Sequence, residues 1–304
     1  MTYASDAYGS GYNHFLCKGL IMGSLSNFGE NALLNHLLNT AYTAPTTVYL
    51  TLNTADPTDA GTGASMSETA NASGYARQAI TFGVPSARRT TQSADISFPV
   101  ATGNYGAAIT HWAIVDALTY GTGNMLAHGA FASSFTPLTG NQPKVVTALQ
   151  EVYVQFDASS GAGLSDYSAN NLLNLMFRNQ AFATKADSTY IALSNTVVDD
   201  QDIDAGDFTE VTGTDYARKL VSANGGSSPT WSTVSGGAAS NAHTIDFGTV
   251  GAGGWTQVVA IVMIDSASGA GNVIGYDSAN VVDQTPAAND TVSIPVGDFD
   301  ISIT

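Results

Sequence analysis

Two copies of one residue pattern lie end to end in this chain, and this duplication restricts the folds that it can adopt. Tyr75-Ala76-Arg77 recurs as Tyr216-Ala217-Arg218, and Gly121-Thr122-Gly123-Asn124 recurs as Gly269-Ala270-Gly271-Asn272. A pattern repeated over this length indicates one structural unit present twice. The sequence therefore predicts two domains of the same fold at residues 26–157 and 165–304. A short flexible linker at 158–164 joins them, and residues 1–25 form an N-terminal arm.

Each copy opens with a helical pattern and continues with many short strands. The helices are predicted at Asn27–Asn39 and Ser168–Asn179, with Ser26 and Ser168 as N-caps. The strands are rich in Val, Ile, Thr and Tyr and are separated by Gly, Asn, Asp and Pro turns. The predicted fold class is mainly β, with two tandem β-sandwich domains of jelly-roll type, each with a short opening α-helix.

The run Val258–Ile264 is apolar at every position and is therefore predicted to be a strand covered on both faces. The opening helix or a neighbouring subunit would supply that cover.

Charge is scarce and acidic. Charged residues make up 11% of the 304 residues, against about 25% in an ordinary soluble domain. The net charge of −16 excludes a broad basic footprint for nucleic acid and argues against docking to an anionic membrane. No run of 18 apolar residues is present, which excludes a transmembrane helix. The only cysteine, Cys17, cannot form an internal disulfide, which fits assembly in a reducing cytosol.

The two halves divide this charge unequally. Residues 1–157 contain 9 acids and 5 bases, whereas residues 158–304 contain 16 acids and 4 bases. Because buried unpaired charges are costly, the nearly neutral first copy is better suited to burial against a partner. The second copy is better suited to facing solvent.

The sequence shows no catalytic motif, and we expect no enzyme activity and no cofactor. Phosphate loops, nucleophile elbows and metal-ligand histidine pairs are absent. Asp116 and Asp265 are the acids that recur beside an apolar strand, and glycoside hydrolysis needs two acids about 5–10 Å apart. Each copy has one such Asp and no evident partner acid for it. An Asp that begins a turn explains them more simply.

Seven basic or acidic positions are candidates for a structural or binding role. Arg77 and Arg218 are predicted to be structural, each satisfying an ion pair or backbone carbonyls, with ligand binding as the alternative. Arg88 and Arg89 have no counterpart in the second copy and form a candidate contact to an acidic partner, or a solvated loop. The alternating Asp200, Asp202 and Asp204 form a weak calcium candidate.

The calcium candidate departs from the pattern of an EF-hand loop. Ala205 stands where that loop needs Gly, and Val211 stands where it needs Glu. An exposed loop of mutually repelling acids is the alternative, so no metal site is predicted beyond this candidate.

Several segments of the first copy resemble one phage family. They are Asn31–Leu38, Val48–Leu52, Asp56-Pro57-Thr58-Asp59, Gly74-Tyr75-Ala76-Arg77, Asp95–Thr102 and Ile109–Asp116. The chain is similar to the small tailed-phage virion proteins commonly labelled tail-fibre proteins, here as a fused tandem version. The resemblance implies a structural protein of the virion, assembled in the host cytoplasm, without implying which part of the virion.

The residues themselves favour a lattice position. No coiled-coil, collagen-like or β-helical period is present to build a fibre shaft. We therefore expect a capsid decoration or cement protein that binds the major capsid protein or other virion subunits and self-associates. The N-terminal arm would contact a neighbour through its aromatic and apolar residues, which are Tyr3, Tyr8, Tyr12, Phe15, Leu16, Leu20 and Ile21.

Two alternatives stay open. The first is a tail, baseplate or short tail-fibre component. The second, less favoured, is a carbohydrate-binding module, for which Trp231 and Trp255 are the candidate exposed platform.

Overall fold

The computed structural model describes residues 24–38, 40–156, 162–182, 188–199, 204, 206–223 and 230–303. Two groups of predicted site residues lie outside these ranges. The first is the arm set Tyr3, Tyr8, Tyr12, Phe15, Leu16, Leu20 and Ile21, and the second is Asp200 and Asp202. Their assignments stay predictions. Neither described helix is long and apolar enough to cross a membrane.

The first copy is a five-stranded antiparallel sheet with an opening helix and two short ribbons. The sheet has the strand order β1-β7-β6-β2-β3, and the ribbons are β4-β9 and β5-β8. The elements are β1 Ser24–Leu25, α1 Asn27–Leu38, β2 Val48–Asn53, β3 Gln78–Ile80, β4 Arg89–Thr91, β5 Ile96–Ser97, β6 Ile109–Val115, β7 Met125–Phe135, β8 Lys144–Val145 and β9 Tyr153–Gln155.

The second copy repeats this order element for element. Its sheet runs β10-β16-β15-β11-β12, and its ribbons are β13-β18 and β14-β17. The elements are β10 Ala162–Leu164, α2 Asp166–Arg178, β11 Ser188–Ser194, β12 Lys219–Ala223, β13 Ala238–Ser240, β14 Ile245–Thr249, β15 Ala260–Ile264, β16 Val273–Asp277, β17 Thr291–Ile294 and β18 Asp300–Ser302. The predicted mainly β class, with two tandem domains that each have a short helix, is confirmed. The layer facing each sheet is a helix with two ribbons rather than a second full sheet.

A serine fixes each helix to its own sheet. The Ser26 hydroxyl accepts the Gly29 amide at 3.1 Å and donates to the Met125 carbonyl. In the second copy the N-cap is Ser165, not the predicted Ser168, since the Ser168 amide donates to Ser165 Oγ at 3.2 Å. The cap therefore joins the helix start to the first residue of β7, and its equivalent Ser165 bonds the first residue of β16.

Both faces of each sheet are buried, as the apolar run Val258–Ile264 predicts. On β15, Met263 belongs to the large core, whereas Ala260, Val262 and Ile264 pack with Phe208 on the other face. The loop that follows β11 supplies that outer cover. In the first copy the corresponding outer cluster is Met66, Ala113, Val115 and Met125. A loop of the same copy therefore covers the outer face, and no neighbouring subunit is needed for it.

The two copies share one hydrophobic core. A single cluster of buried residues runs from Leu25 to Ile303 and includes both helices. Phe82 of the first copy contacts Phe177 of α2 with ring centroids 5.3 Å apart, and the ring of His36 stacks on Phe182 at 5.9 Å. The two predicted domains therefore pack against each other.

The predicted limits also shift at both starts. Strand β10 lies inside the predicted linker 158–164, and β1 lies inside the predicted arm 1–25. Each of these strands pairs with the edge of its own sheet, so each belongs to its copy.

The contact between the copies is reciprocal. The Gly237 amide donates to Asn31 Oδ1 of α1 at 3.0 Å, and the Arg88 amide donates to Asn170 Oδ1 of α2 at 3.0 Å. Gly236-Gly237 and Ala87-Arg88 are the central residues of matching tight turns with positive φ. Each helix therefore receives the turn of the opposite copy, as in a two-fold interface between identical subunits.

This reciprocal contact predicts different costs for two neighbouring glycines. A Cβ at Gly237 would lie 2.3 Å from the Ile303 carbonyl oxygen and 2.9 Å from Glu30 Oε2, whereas a Cβ at Gly236 would meet nothing within 4 Å. Both residues have positive φ, so backbone strain is matched. We expect Gly237→Ala to lower the free energy of unfolding by about 1–3 kcal/mol more than Gly236→Ala, measured by urea denaturation. Equal losses would show that the turn does not press on α1.

Candidate functional site

Arg77, directly before β3, has every donor of its side chain hydrogen-bonded. Its Nε and Nη2 donate to the Glu68 carboxylate at 2.9 and 2.7 Å. Its remaining N–H groups donate to the carbonyls of Gly63, Ala117 and Thr122 at 2.8–2.9 Å. All five guanidinium donors are used, and the side chain has no exposed surface. Arg77 thus makes both of the contacts predicted for a structural arginine.

Tyr75 completes this cluster, which we call the clamp. Its hydroxyl donates to Glu68 Oε1 at 2.7 Å and accepts the Leu52 amide at 3.2 Å. Burial raises the pKa of Tyr75 well above its usual range, and the Glu68 carboxylate raises it further. The hydroxyl therefore stays a donor to Glu68, and the carboxylate has a hydrogen-bonded partner on each side.

The second copy builds the same clamp. Arg218 Nε and Nη2 donate to Glu210 at 3.0 and 2.9 Å, Nη1 donates to the Ser266 carbonyl, and Nη2 also donates to the Gly269 carbonyl. The Tyr216 hydroxyl donates to Glu210 Oε1 at 2.8 Å, and burial raises the pKa of Tyr216. The Glu210 side chain is 29% exposed, against 4% for Glu68. The second clamp is therefore more open to solvent.

Sequence reasoning missed both glutamates. A signal was present, since the chain has only four Glu and one precedes each Tyr-Ala-Arg by a few residues.

The clamp holds the loop between β6 and β7, residues 116–124, which we call the braced loop. Arg77 bonds two of its carbonyls, and the Gly63 amide donates to the Gly123 carbonyl at 3.0 Å. Asp116 closes the loop by accepting the Asn124 amide at 2.7 Å and its side-chain amide at 2.8 Å. The braced loop is therefore fixed at its base and along its length.

Asp265 and Asn272 repeat that closure in the second copy, at 2.7 Å for both contacts. Asp116 and Asp265, the two candidate glycosidase acids, thus each accept hydrogen bonds from the backbone and side-chain amides of the asparagine that ends their loop.

The tips of the two loops differ in chemistry. In the braced loop Leu118 and Tyr120 are exposed, at 57% and 38%. The second copy has Ser266-Ala267-Ser268 in the corresponding stretch. Of these two corresponding loops, the braced loop is therefore the one that presents large apolar side chains to solvent, which is the chemistry of a protein-binding surface.

The structure separates Arg88 from Arg89. Arg88 is only 5% exposed, and its guanidinium donates to the Leu164 carbonyl at 2.6 Å and lies 3.9 Å from Asp166. Arg88 therefore joins the copies and is not an outward contact. The turn that contains Arg88 does have a counterpart, Gly236-Gly237. The two turns match in backbone conformation but not in side chains, so the sequence does not reveal the correspondence.

Arg89 pairs with Glu151 and covers the ring of Tyr153 at 3.8 Å. Its role toward an acidic partner stays a prediction.

The remaining predicted residues are dispersed. Asp204 accepts the Gly206 amide at 2.6 Å within its own loop. No group of three possible metal ligands occurs in the described ranges. Trp231 and Trp255 are each 4% exposed, which corrects their prediction as an exposed platform for sugars.

One buried acid lies at the contact between the copies. Burial raises the pKa of Glu30 on α1 to about 7, with a smaller contribution from Asp59. Because the Glu30 side chain lies against Gly237, it is part of the packing between the copies.

Comparison with known proteins gives the same division of the chain. A family model described as Podophage GP4 fiber I protein gp80 matches residues 24–152 and matches a second time at residues 163–302. Each match begins within the first strand of a copy, β1 or β10. The two matches confirm the tandem duplication. No curated protein matches the chain.

One substitution at three Glu–Arg pairs tests how much the clamp contributes to stability. Glu68→Gln leaves Arg77 charged and buried, so we expect a loss of about 3 kcal/mol or more in the free energy of unfolding. Glu151→Gln breaks the exposed pair with Arg89, where Glu151 is 44% exposed, and is expected to cost less than about 1 kcal/mol. Glu210→Gln should fall between them. Urea denaturation measures all three, and a different rank order would contradict the argument from burial.

Proposed function

The chain belongs to the family of podophage GP4 fiber I protein gp80, and we propose that it is a non-enzymatic subunit of a phage tail or fibre. The family makes it a structural component of the virion related to tail fibres. Our proposal adds its position in the tail or fibre and the way it attaches. It also includes assembly in the host cytoplasm.

The observation that carries the proposal is the braced loop. The clamp fixes its backbone before any partner arrives, so binding through Leu118 and Tyr120 orders little additional chain. The first copy is also the one with little net charge, which lowers the cost of burying its surface. We infer that the first copy attaches to another virion subunit and that the second copy faces outward.

The contacts that the arginines make within the chain indicate which class of partner it binds. All five arginines of the chain contact groups of the chain itself, namely Arg77, Arg88, Arg89, Arg178 and Arg218. Few cations therefore remain for an acidic surface, which supports protein partners over nucleic acid or membrane. Other virion subunits and further copies of this chain are the partners that we propose.

Capsid decoration, the role first predicted, stays a second proposal. It rests on the absence of a shaft repeat from the sequence, and the major capsid protein would then be the partner. The burial of Trp231 and Trp255 removes the feature that favoured a carbohydrate-binding module.

Phages that carry Leu118→Ser with Tyr120→Ser test the attachment surface. Because both side chains are exposed, we expect the purified chain to keep its stability within about 0.5 kcal/mol. We expect fewer copies in the virion, counted by quantitative mass spectrometry of separated tails and heads. Val197→Ser, at an exposed apolar residue of the second copy (73%), is the control and should leave the copy number unchanged.

Wild-type copies in the tail fraction support the proposal. Hundreds of copies in the head fraction would replace it with the decoration role, and unchanged incorporation of the double variant would exclude the braced loop as the attachment surface.

A further inference from the structure

A groove lies on the surface of the second copy. A cavity of about 390 Å³ is lined by Met263, Asp277, Phe299, Asp300 and Ile301, among others. A second cavity of about 290 Å³ shares Asp277 and Phe299 with it and continues the depression toward Val282. We call the two together the acidic groove.

The strand beside the groove is shorter in the second copy than its equivalent in the first. In the first copy β7 continues to Phe135, which pairs with Ile109. Phe131 is 4% exposed there and packs on Phe135 with centroids 5.6 Å apart. The equivalent pairing in the second copy is between Gln284 and Val258, so a glutamine stands in place of Phe135.

The chain between β16 and Gln284 leaves the sheet. Strand β16 ends at Asp277, whose carboxylate accepts the amides of Ala279 and Asn280 at 3.0 and 2.9 Å and turns the chain away. No aromatic residue occurs between residues 277 and 298. The two phenylalanines that pack on each other in the first copy therefore have no aromatic counterpart in this stretch of the second.

The groove combines an apolar floor with an acidic rim. Met263, Phe299 and Ile301 form the floor, and each is less than 8% exposed as a residue. Asp298 and Asp300 are exposed on the rim and make no side-chain hydrogen bond or ion pair within the described residues. Residues 277–303 contain five Asp and no Lys, Arg or Glu. The groove thus presents uncompensated negative charge above an apolar surface.

We propose that the acidic groove binds an extended peptide segment of another protein, with a lysine or arginine between apolar residues. The long aliphatic stem of such a side chain covers an apolar floor while its charged end stays at the rim. There the end meets Asp298 and Asp300 in charge-assisted contacts. An acidic or neutral segment would leave both carboxylates without a partner.

The proposal stands on the chemistry of the groove. We assign the segment to another virion subunit, and this assignment alone rests on the proposed function, in which the second copy faces outward. A binding assay with peptides therefore fails or succeeds independently of where the chain sits in the virion.

Selection from a random nonapeptide library against the immobilised full chain tests the proposal. We expect enrichment of peptides with one Lys or Arg flanked by apolar residues. Fluorescence anisotropy with the best peptide then compares variants. Asp298→Asn and Asp300→Asn should each weaken binding about twofold to fivefold, as removal of a solvent-accessible ion pair does. Asp215→Asn, which removes an exposed carboxylate outside the groove, should have no effect.

Gln284→Phe places the aromatic residue of the first copy in the lining of the 290 Å³ cavity and should abolish binding, with unchanged circular dichroism as the check on folding. Three results would overturn the proposal. The first is enrichment without basic residues, and the second is equal binding to the Asp298→Asn, Asp300→Asn and wild-type chains. The third is binding of a glycan array by the wild type and not by Gln284→Phe, which would make a sugar the occupant.

Discussion

Each opening helix of this protein lies between its own sheet and a tight turn of the opposite copy, and this packing is the constraint on which the rest depends. The serine cap sets the helix on the first residue of β7 or β16. The outer side of the helix would then be exposed, and the Gly236-Gly237 and Ala87-Arg88 turns cover it. One continuous core follows, so the chain is a fused version of a symmetric pair. Because each copy has its own sequence, the surfaces of the two copies differ in chemistry, unlike those of two identical subunits.

The clamp makes it possible to bury a guanidinium in a chain that has few charges. Arg77 is stable without solvent because a carboxylate and three carbonyls take all its donors. In return the guanidinium ties the loop after β2 to the loop after β6. The surface that we assign to attachment is thus rigid for reasons located beneath it. In the second copy the same clamp supports a loop tip of small residues. The candidate binding surface of that copy is the acidic groove.

Local sequence patterns predict much of this architecture. The periodic leucines predicted both helices to within two residues at each end, and the repeated Tyr-Ala-Arg predicted equivalent environments for Arg77 and Arg218. Such patterns do not predict contacts between segments that are far apart in the chain. Glu68 reaches Arg77 through an irregular loop, so no helical or strand spacing relates them. Arg88 looked like a surface residue because its burial depends on Leu164 and Asp166 of the other copy. The strand pairings, and not the sequence alone, show that the second copy has no aromatic residue equivalent to Phe131 or Phe135.

The central claim is that the two copies form one cooperative unit through the shared core. Native-state hydrogen exchange of the intact chain tests it most directly, since it measures the opening free energy of individual amides in both sheets. With rising urea, the slowest amides of β6 and β15 should converge on one free energy with one urea dependence. If the sheet of one copy instead exchanged at a markedly lower free energy, with a smaller urea dependence than the other, the copies would unfold separately and the account would be wrong.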